Sequence, residues 1–223
     1  KFFKNFETLK EKIGINRISA LPTFTSFSDI KNTIKFYKSL GLREIFLRPV
    51  NFQGFARKKH SDIASMDDEW NAEYIKALQF LFELNDNSEH KLIETTLSLH
   101  LKRIFEIGFN GFVDLRTPNP AGQDYLVIDF DGKFYPSDEA RMLTRIGLID
   151  LKIGSLVEGY DTSVVKQFNL SQDNKKDPAC RKCVYQSYCG VDNIDKLSRY
   201  GSINFPTENS HFCKSHMNVF DFI

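Results

Sequence analysis

The sequence lacks any apolar run of the length needed to cross a bilayer, so we expect no membrane-spanning helix and no membrane partner. It also lacks an excess of charge of either sign, because 30 Lys and Arg residues stand against 29 Asp and Glu residues, for a formal net charge of +1. A nucleic-acid partner is therefore not expected. Trp occurs once, and we expect the 21 Phe residues to fill a hydrophobic core among the 223 residues.

The start of the chain shows no signal-peptide pattern and its first residue, Lys1, is not Met. We expect a trimmed or partly observed cytoplasmic chain. In a reducing compartment, thiols are free or bound to a metal rather than paired in disulfides. Two disulfides are therefore the weaker alternative for the cysteines of this chain.

Cysteine is scarce, and its four copies all lie in the last quarter of the sequence, at Cys180, Cys183, Cys189 and Cys213. A C-x2-C pair lets two thiolates reach one centre from a tight turn, and a third and a distant fourth thiolate complete a ligand set. This pattern predicts one metal site. Thiolates bind zinc as well as iron–sulfur clusters, and the spacing does not distinguish the two. His211 and His216 flank the last cysteine, and we expect them to be neighbours rather than ligands.

The first part of the chain has the pattern of a βαβ unit. A helix over residues 1–14 precedes a predicted strand at 15–21, a helix at 30–40 and an apolar strand at 44–50. A strand, a helix and a strand in this order favour parallel pairing and an α/β fold.

The middle of the chain reads as helical. Asp67 and Asp68 are predicted to cap one helix and Ser88 a second one, and the two would form an antiparallel pair. The polar segment 171–179 is predicted to be a linker that leads into the cysteines.

After Gly108 the sequence pattern changes from helical spacing to short strands and turns. Asp131-Gly132 between two apolar runs predicts a β-hairpin, followed by a short helix from Asp138 to Ile146. A strand at 153–156 and a helix around Val164 come next.

Two sequence runs resemble a known family. The runs CRKCVYQSYCGV (residues 180–191) and DFDGKFYPSDEARM (residues 129–142) resemble the C-terminal SPASM region of radical S-adenosylmethionine (AdoMet) peptide maturases. The similarity is greatest to the maturases of the His-Xaa-Ser system. The run IFLRPVNFQGFA (residues 45–56) resembles the last barrel strand and its loop in that subgroup.

The resemblance implies an α/β fold with three parts. Residues 1–61 would be the late part of a radical SAM (β/α) barrel, residues 62–108 a helical linker region, and residues 109–223 a small α+β SPASM-like cluster domain. Such a domain generally holds two auxiliary 4Fe–4S clusters. Cys180, Cys183, Cys189 and Cys213 match one ligand set.

The second ligand set of the resembled family has no counterpart here. Its positions are occupied by Ala121, Ser137, and Asp192 or Asn193, so the resemblance implies that this cluster is absent. The C-x3-C-x2-C motif that binds the catalytic cluster and AdoMet in the family does not occur either. AdoMet is therefore expected as a cofactor only if the catalytic half of the barrel is supplied by a missing N-terminal part.

The resemblance also suggests roles for three residues outside the cysteines. Asp138 resembles the Asp that serves as general base in sulfatase-maturing members, with a helix cap as the alternative. Arg48 and Asn51 lie where the family approaches AdoMet, and a buried salt bridge is the alternative for Arg48.

Three functions follow as hypotheses. The first is the C-terminal part of a radical SAM enzyme that modifies a peptide and carries one auxiliary 4Fe–4S cluster. The second is a non-catalytic module that binds a peptide or a second maturase subunit. The third is a structural zinc domain on an α/β scaffold.

Overall fold

The computed structural model describes residues 1–59, 63–86, 88–109 and 111–223. The chain divides into two compact units. The first unit consists of Lys1–Val50 and Ala64–Leu101, and the second consists of Asn51–Ile63 and Lys102–Ile223. Each unit therefore contains two separate stretches of sequence. The division at residues 61 and 108 stays a prediction.

The first unit contains two short pairs of parallel strands. Strand β1 pairs with β3, and β2 pairs with β4, which agrees with the predicted parallel arrangement. The elements in chain order are α1 (Phe2–Ile13), β1 (Thr23–Phe24), α2 (Ile30–Ser39), β2 (Glu44–Ile45), β3 (Arg48–Pro49), α3 (Ile63–Asp86), β4 (Ile93–Glu94) and α4 (Thr95–Phe105), whose last residues belong to the second unit.

Two predictions for this unit are wrong at the level of single elements. The stretch 15–21 is not a strand: it begins with a 3-10 turn at Ile15–Arg17, and only Ala20 pairs, in a bridge with Ile45. The predicted helix cap at Asp67 and Asp68 is also wrong, because α3 already begins at Ile63.

The second helix of the predicted antiparallel pair begins later in the chain than expected. Residues 93–94 form β4 rather than the first turn of a second helix, and Ser88 caps no helix. The apolar spacing was compatible with a helix, but pairing with β2 holds these residues extended. The helix starts only at Thr95, where the Glu94 carboxylate accepts the backbone N–H of Leu97 at 2.7 Å.

A buried carboxylate lies in the core of the first unit. Glu94 is 2% exposed, and it accepts hydrogen bonds from the Tyr74 hydroxyl at 2.6 Å and the Leu47 backbone N–H at 3.2 Å. Burial raises the pKa of Glu94 despite these donors. The fully buried apolar side chains of the same unit include Ile34, Leu42, Ile45, Leu78 and Leu92.

The second unit is built on an antiparallel sheet with the order β5-β6-β7-β8. The predicted hairpin is confirmed, with Val127 opposite Tyr135 and with Gly132 at φ 78° in the turn. The elements are β5 (Val127–Ile128), β6 (Lys133–Tyr135), α5 (Asp138–Arg145), β7 (Gly154–Ser155), β8 (Gly159–Tyr160), α6 (Thr162–Leu170), α7 (Asn193–Tyr200) and α8 (His211–Phe222).

The core of the second unit joins the hairpin to two helices. Tyr135 of β6, Ala140 and Leu143 of α5, and Ile194 of α7 form one buried cluster. This packing sets where α7 begins and therefore positions the loop that precedes it. None of the helices within the described ranges combines the length and the apolar character that crossing a bilayer requires.

Candidate metal centre

The four cysteines reach one cavity from three local structures. Cys180 opens a 3-10 turn that Cys183 ends, Cys189 lies in the loop that follows, and Cys213 lies in the first turn of α8. All four thiols are free and half-buried, and all four residues line a cavity of about 290 Å³, hereafter the cysteine cavity. The four residues therefore line the same cavity, and that they bind one metal centre stays a prediction.

Backbone hydrogen bonds hold two of these cysteines in position. The Cys183 N–H donates to the Cys180 carbonyl at 3.0 Å, which closes the turn of the C-x2-C pair. The Cys213 N–H donates to the hydroxyl of Ser210 at 3.2 Å, which caps α8. Both cysteines are therefore fixed by short-range structure that does not depend on a bound ion.

Asp177 positions the first cysteine. Its Oδ1 atom accepts the backbone N–H groups of Ala179 at 2.9 Å and Cys180 at 3.1 Å, and its Oδ2 atom accepts the hydroxyl of Thr207. Lys196 donates to the same hydroxyl oxygen at 2.6 Å. Burial alone would raise the pKa of Asp177, but these hydrogen bonds bring the pKa below its usual value. An ionised carboxylate thus joins the cysteine turn to the segment before α8.

Asn174 positions the third cysteine. Its side-chain amide donates to the carbonyls of Gln186 at 2.8 Å and Cys189 at 2.7 Å, and its backbone N–H donates to Thr117 at 3.0 Å. Asn174 is only 1% exposed. Residues 171–179 form no helix or strand, as predicted for a linker, but Asn174 within them is buried and holds the cysteine loop.

Gly190 allows the cysteine loop to approach the chain closely. A Cβ atom at this position would lie 2.4 Å from the carbonyl oxygen of Asp114 and 2.9 Å from that of Arg116. Both atoms belong to the backbone, so they cannot move aside without shifting the chain. Only glycine fits this contact.

The cysteine cavity disfavours bare thiolates. Burial raises the pKa of Cys180 to about 12, with further contributions from Asp177, Cys189 and Cys213. Burial and the neighbouring cysteines likewise raise the pKa of Cys189 to about 12. Because negative charge on several sulfurs is costly here, all four can ionise together only with positive charge among them. A metal centre would supply that charge.

The geometry bears on which centre fits. Within the described ranges, no three His, Cys, Asp or Glu side chains are close enough to share one metal ion. In a 4Fe–4S cluster each thiolate binds a different iron, so the four sulfurs lie farther apart than around a single zinc ion. The four cysteines line one cavity without any three of them being close enough for a single ion, and the identity of the centre stays a prediction.

The two flanking histidines are not part of this lining. Neither His211 nor His216 lines the cysteine cavity, and the His216 ring bonds the Phe212 carbonyl at 2.8 Å. Burial lowers the pKa of His211 to about 3, so its imidazole is neutral. The thioether of Met217 does line the cavity, with its sulfur 3.9 Å from that of Cys183.

A second cavity, of about 280 Å³, lies at the positions of the absent ligand set. It is lined by Ala121, Ser137 and Asp192, and we call it the acidic cavity because Asp114, Asp138, Glu139 and Asp192 are among its lining residues. Ala121 and Ser137 are buried and provide no ligand of the strength of a thiolate.

Asp138 is found at the acidic cavity and pairs with a neighbour. Its carboxylate accepts from Arg141 at 2.6 Å. The alternative of Asp138 as a helix cap is wrong in detail, because Ser137 is the N-cap of α5 and accepts the Ala140 N–H at 3.2 Å.

Arg48 and Asn51 are not brought to either cavity. Arg48 lies in β3 with its guanidinium 5.3 Å from the ring centre of Phe46, and in the described part of the chain no carboxylate pairs with it. The Asn51 side chain accepts the Gln53 N–H at 2.8 Å and closes a local turn. Arg48 belongs to the first unit and Asn51 to the second.

Sequence reasoning missed the residues that support the cavities. Asn174, Asp177 and Gln172 lie in a run of Ser, Gln, Asp, Asn and Lys, a composition equally typical of an exposed loop. The one available signal was Asp177 before Pro178, since Asp is favoured in turns where its carboxylate bonds the backbone.

The mixed α/β fold is similar to that of a solved radical SAM/SPASM enzyme structure. Structures of anSMEcpe, an anaerobic sulfatase-maturating radical SAM enzyme, are among the matched solved structures. One has bound AdoMet, with a TM-score of 0.68 and 17% identity. Another has bound AdoMet and Cp18Cys peptide, with a TM-score of 0.68 and 16% identity. At these identities the likeness establishes the fold.

The matches cover 99% of this chain but only 55% and 58% of the two anSMEcpe chains. The chain thus spans little more than half the length of the structures it resembles. No family model matches the sequence, and no curated protein matches it.

Proposed function

We propose that this chain is the C-terminal part of a radical SAM enzyme that modifies a peptide, related most closely to the His-Xaa-Ser system maturases. Residues 1–61 would be the late part of the barrel, residues 62–108 a helical linker and residues 109–223 a SPASM-like domain. The observation that carries the proposal is the convergence of four cysteines on one cavity, in a chain similar over its whole length to part of anSMEcpe.

The four cysteines would hold one auxiliary 4Fe–4S cluster. The cysteine cavity fits this group because its thiols surround one space and no three of them are spaced for a single ion. Burial also raises the pKa values of Cys180, Cys189 and Cys213. When bound, such a cluster exchanges single electrons at a potential set by burial and hydrogen bonding. The chain's own residues fix the site, since Asp177 and Asn174 hold the cysteine backbone from outside.

Three further residues would act on AdoMet or the peptide. Arg48 has no carboxylate partner within the described ranges, so its guanidinium is available to clamp a carboxylate such as that of AdoMet. Asn51 would contact the same cofactor from the following loop. Asp138 would accept a proton from the substrate, after leaving the guanidinium of Arg141.

Cleavage of AdoMet requires residues that this chain does not contain, since its four cysteines include no C-x3-C-x2-C motif. The same observation favours a second candidate, a module that binds a peptide or a second maturase subunit without catalysis. The full-length protein with AdoMet, a reductant and the peptide distinguishes them. Formation of 5′-deoxyadenosine supports the enzyme, and peptide binding without it supports the module.

Elemental analysis of the anaerobically purified chain tests the cluster directly. We expect about four iron and four sulfide per chain. The variant Cys189→Ala should lose most of the iron, whereas Val184→Ala, whose exposed side chain lies in the same loop, should retain it. About one zinc per chain with little iron would contradict the cluster and support the zinc domain.

Removal of the metal provides a second readout that does not depend on activity. A bound structural centre contributes on the order of 10 kcal/mol to the folding of small zinc domains, so stripping the centre should lower the melting temperature strongly. Chelator-treated and untreated chain would be compared by thermal unfolding. An unchanged melting temperature would show that the thiols do not hold a metal in the folded chain.

A further inference from the structure

A hydrogen-bonded chain of three side chains lies at the wall of the cysteine cavity. The Lys196 ammonium group donates to the hydroxyl oxygen of Thr207 at 2.6 Å, and that hydroxyl donates to the Oδ2 atom of Asp177. Thr207 lines the cysteine cavity, whereas Lys196 and Asp177 line a neighbouring cavity of about 430 Å³. One hydroxyl thus joins a cation to an anion, and we call these three residues the charged network.

The cation of this network is buried. Lys196 is 4% exposed, and a lysine is almost never so buried without a partner. Asp177 provides the opposite charge, and its Oδ1 atom accepts the backbone N–H of Cys180 at 3.1 Å. Stability alone is a weak reason for such an arrangement, because apolar side chains of similar size are often as stable as a buried pair of charges.

The charges that line the cysteine cavity itself are screened by water. In the described part of the chain they are Lys182 and Glu208, of opposite sign, and both side chains are exposed. Lys196 is buried, so its field is screened less. Burial raises the pKa of the Cys213 thiol, Asp177 adds to the rise, and Lys196 opposes it. The charged network therefore acts electrostatically on a residue of the cavity.

The effect of such charges on a bound cluster has a definite sign. A cluster held by four thiolates is an anion, because the thiolates outweigh the charge of the iron–sulfide core. Adding one electron without a proton increases the negative charge. A buried cation nearby therefore stabilises the reduced form more than the oxidised form and raises the reduction potential, and a buried anion lowers it.

We propose that Lys196 sets the reduction potential of the cluster in the cysteine cavity by offsetting the charge of Asp177. This inference rests on the proposed cluster and assigns its control to residues of this chain that are not ligands. Asp177 is required to hold the backbone of Cys180, and its charge alone would make the cluster harder to reduce. Lys196 compensates for that charge, and Thr207 holds both groups through its hydroxyl.

Redox titration of the anaerobically purified chain tests this. Dithionite supplies the electron, and the paramagnetic resonance signal of the reduced cluster gives the midpoint potential. Lys196→Met removes the ammonium group and keeps an unbranched side chain, so the potential should become more negative. Asp177→Asn keeps an oxygen for the Cys180 N–H and removes the negative charge, so the potential should become more positive.

The double variant separates charge from structure. Lys196→Met combined with Asp177→Asn removes both charges, so its midpoint potential should return toward that of the parent. If the two residues acted only by bracing the fold, their effects on the potential would not have opposite signs and would not cancel. An unchanged potential in Lys196→Met, or a double variant no closer to the parent than the single variants, would overturn the proposal.

Two further variants serve as controls. Lys166→Met makes the same substitution at an exposed lysine of α6 and should leave the potential unchanged. Lys196→Arg keeps the charge and should remain closer to the parent than Lys196→Met. A shift in Lys166→Met equal to that in Lys196→Met would overturn the proposal, because the effect would then not depend on burial near the cavity.

Iron content decides the outcome if Lys196→Met does not retain the cluster. The double variant should then regain iron, because the uncompensated charge of Asp177 is gone, and an equal loss of iron in both would overturn the proposal. A parent chain without iron would contradict the proposed function itself. A parent with full iron content and a potential that ignores these substitutions contradicts this inference alone.

Discussion

The side-chain amide of Asn174 donates a hydrogen bond to the main-chain carbonyl of Cys189 at 2.7 Å. The two residues are 15 positions apart, and the same amide also reaches the carbonyl of Gln186. One buried side chain thus holds both ends of the turn before the third cysteine. The geometry of the cysteine cavity depends on this contact as well as on the cysteines themselves.

Replacing Asn174 by Ala should weaken both folding and metal retention. Two buried carbonyls would lose their donor, which costs about 1–3 kcal/mol in the free energy of unfolding. Urea unfolding and iron analysis of the purified chain measure the two effects. The control is Asn204→Ala, at an exposed position, which should behave as the parent. Normal iron content in Asn174→Ala would show that these hydrogen bonds are dispensable.

Replacing Gly190 by Ala should also disturb the cysteine loop. The new methyl group would meet the backbone carbonyls of Asp114 and Arg116, and moving backbone costs about 1–3 kcal/mol. Gly54→Ala is the matched control, because its Cβ would meet only the flexible side chain of Met142, at 3.4 Å. Thermal unfolding compares the two variants. Equal melting temperatures for them would contradict the close approach at Gly190.

Asp192→Asn should flatten the pH dependence of stability. The folded-state pKa of Asp192, about 8, lies above its ordinary value, so between about pH 4 and pH 8 the folded chain holds a proton that the unfolded chain has released. Its contribution to stability is complete below about pH 4 and is lost as the pH rises through about 8. Asn keeps the cap of α7 and removes this titration.

Urea unfolding at several pH values measures this effect. Between about pH 4 and pH 8, the free energy of unfolding should fall more steeply for the parent than for Asp192→Asn. Asp131→Asn is the contrasting control. The hydrogen bond from Lys133 lowers the pKa of Asp131, so this substitution should change the pH dependence of the free energy of unfolding only at acidic pH. Parallel curves for the parent and Asp192→Asn would exclude the raised pKa.

Tyr74→Phe should destabilise the first unit. The phenol donates to the buried carboxylate of Glu94 at 2.6 Å, and its removal leaves that carboxylate with fewer donors. Hydrogen bonds to charged groups contribute about 1.5–3 kcal/mol, so a loss of this size is expected in the free energy of unfolding. Tyr37→Phe, at a half-buried ring in α2, is the control and should cost little. An equal loss in the free energy of unfolding for Tyr74→Phe and Tyr37→Phe would show that the hydrogen bond to Glu94 is not its cause.

The sequence was informative where structure is local. Three of the four cysteines lie within one short run, so turn geometry alone predicts that they approach each other. The hairpin at Gly132 was predictable for the same reason, because Asp-Gly between apolar runs has few alternatives. That the thiols bind iron remains a prediction.

The sequence was uninformative where a residue's role depends on distant partners. Ile93 had an apolar spacing compatible with a helix, and only its pairing with Glu44, 49 residues away, makes it a strand. Asn174 and Gln172 lie in a run whose composition is typical of a linker, and only the folded structure shows that both are buried. Buried amides are recognised from their hydrogen bonds, which a single sequence does not contain.

The position of Cys213 has a consequence for proteolysis. It lies in α8, whereas the other three cysteines precede α7. A cluster bound by all four would therefore link Cys189 to Cys213 and close residues 190–212 into a loop. Closing the loop reduces its conformational freedom and so opposes local unfolding, which cleavage by a protease requires. Cleavage at the exposed Glu208, between α7 and α8, by a protease specific for Glu would then report the fraction of chains that carry the cluster, without any spectroscopic signal from iron.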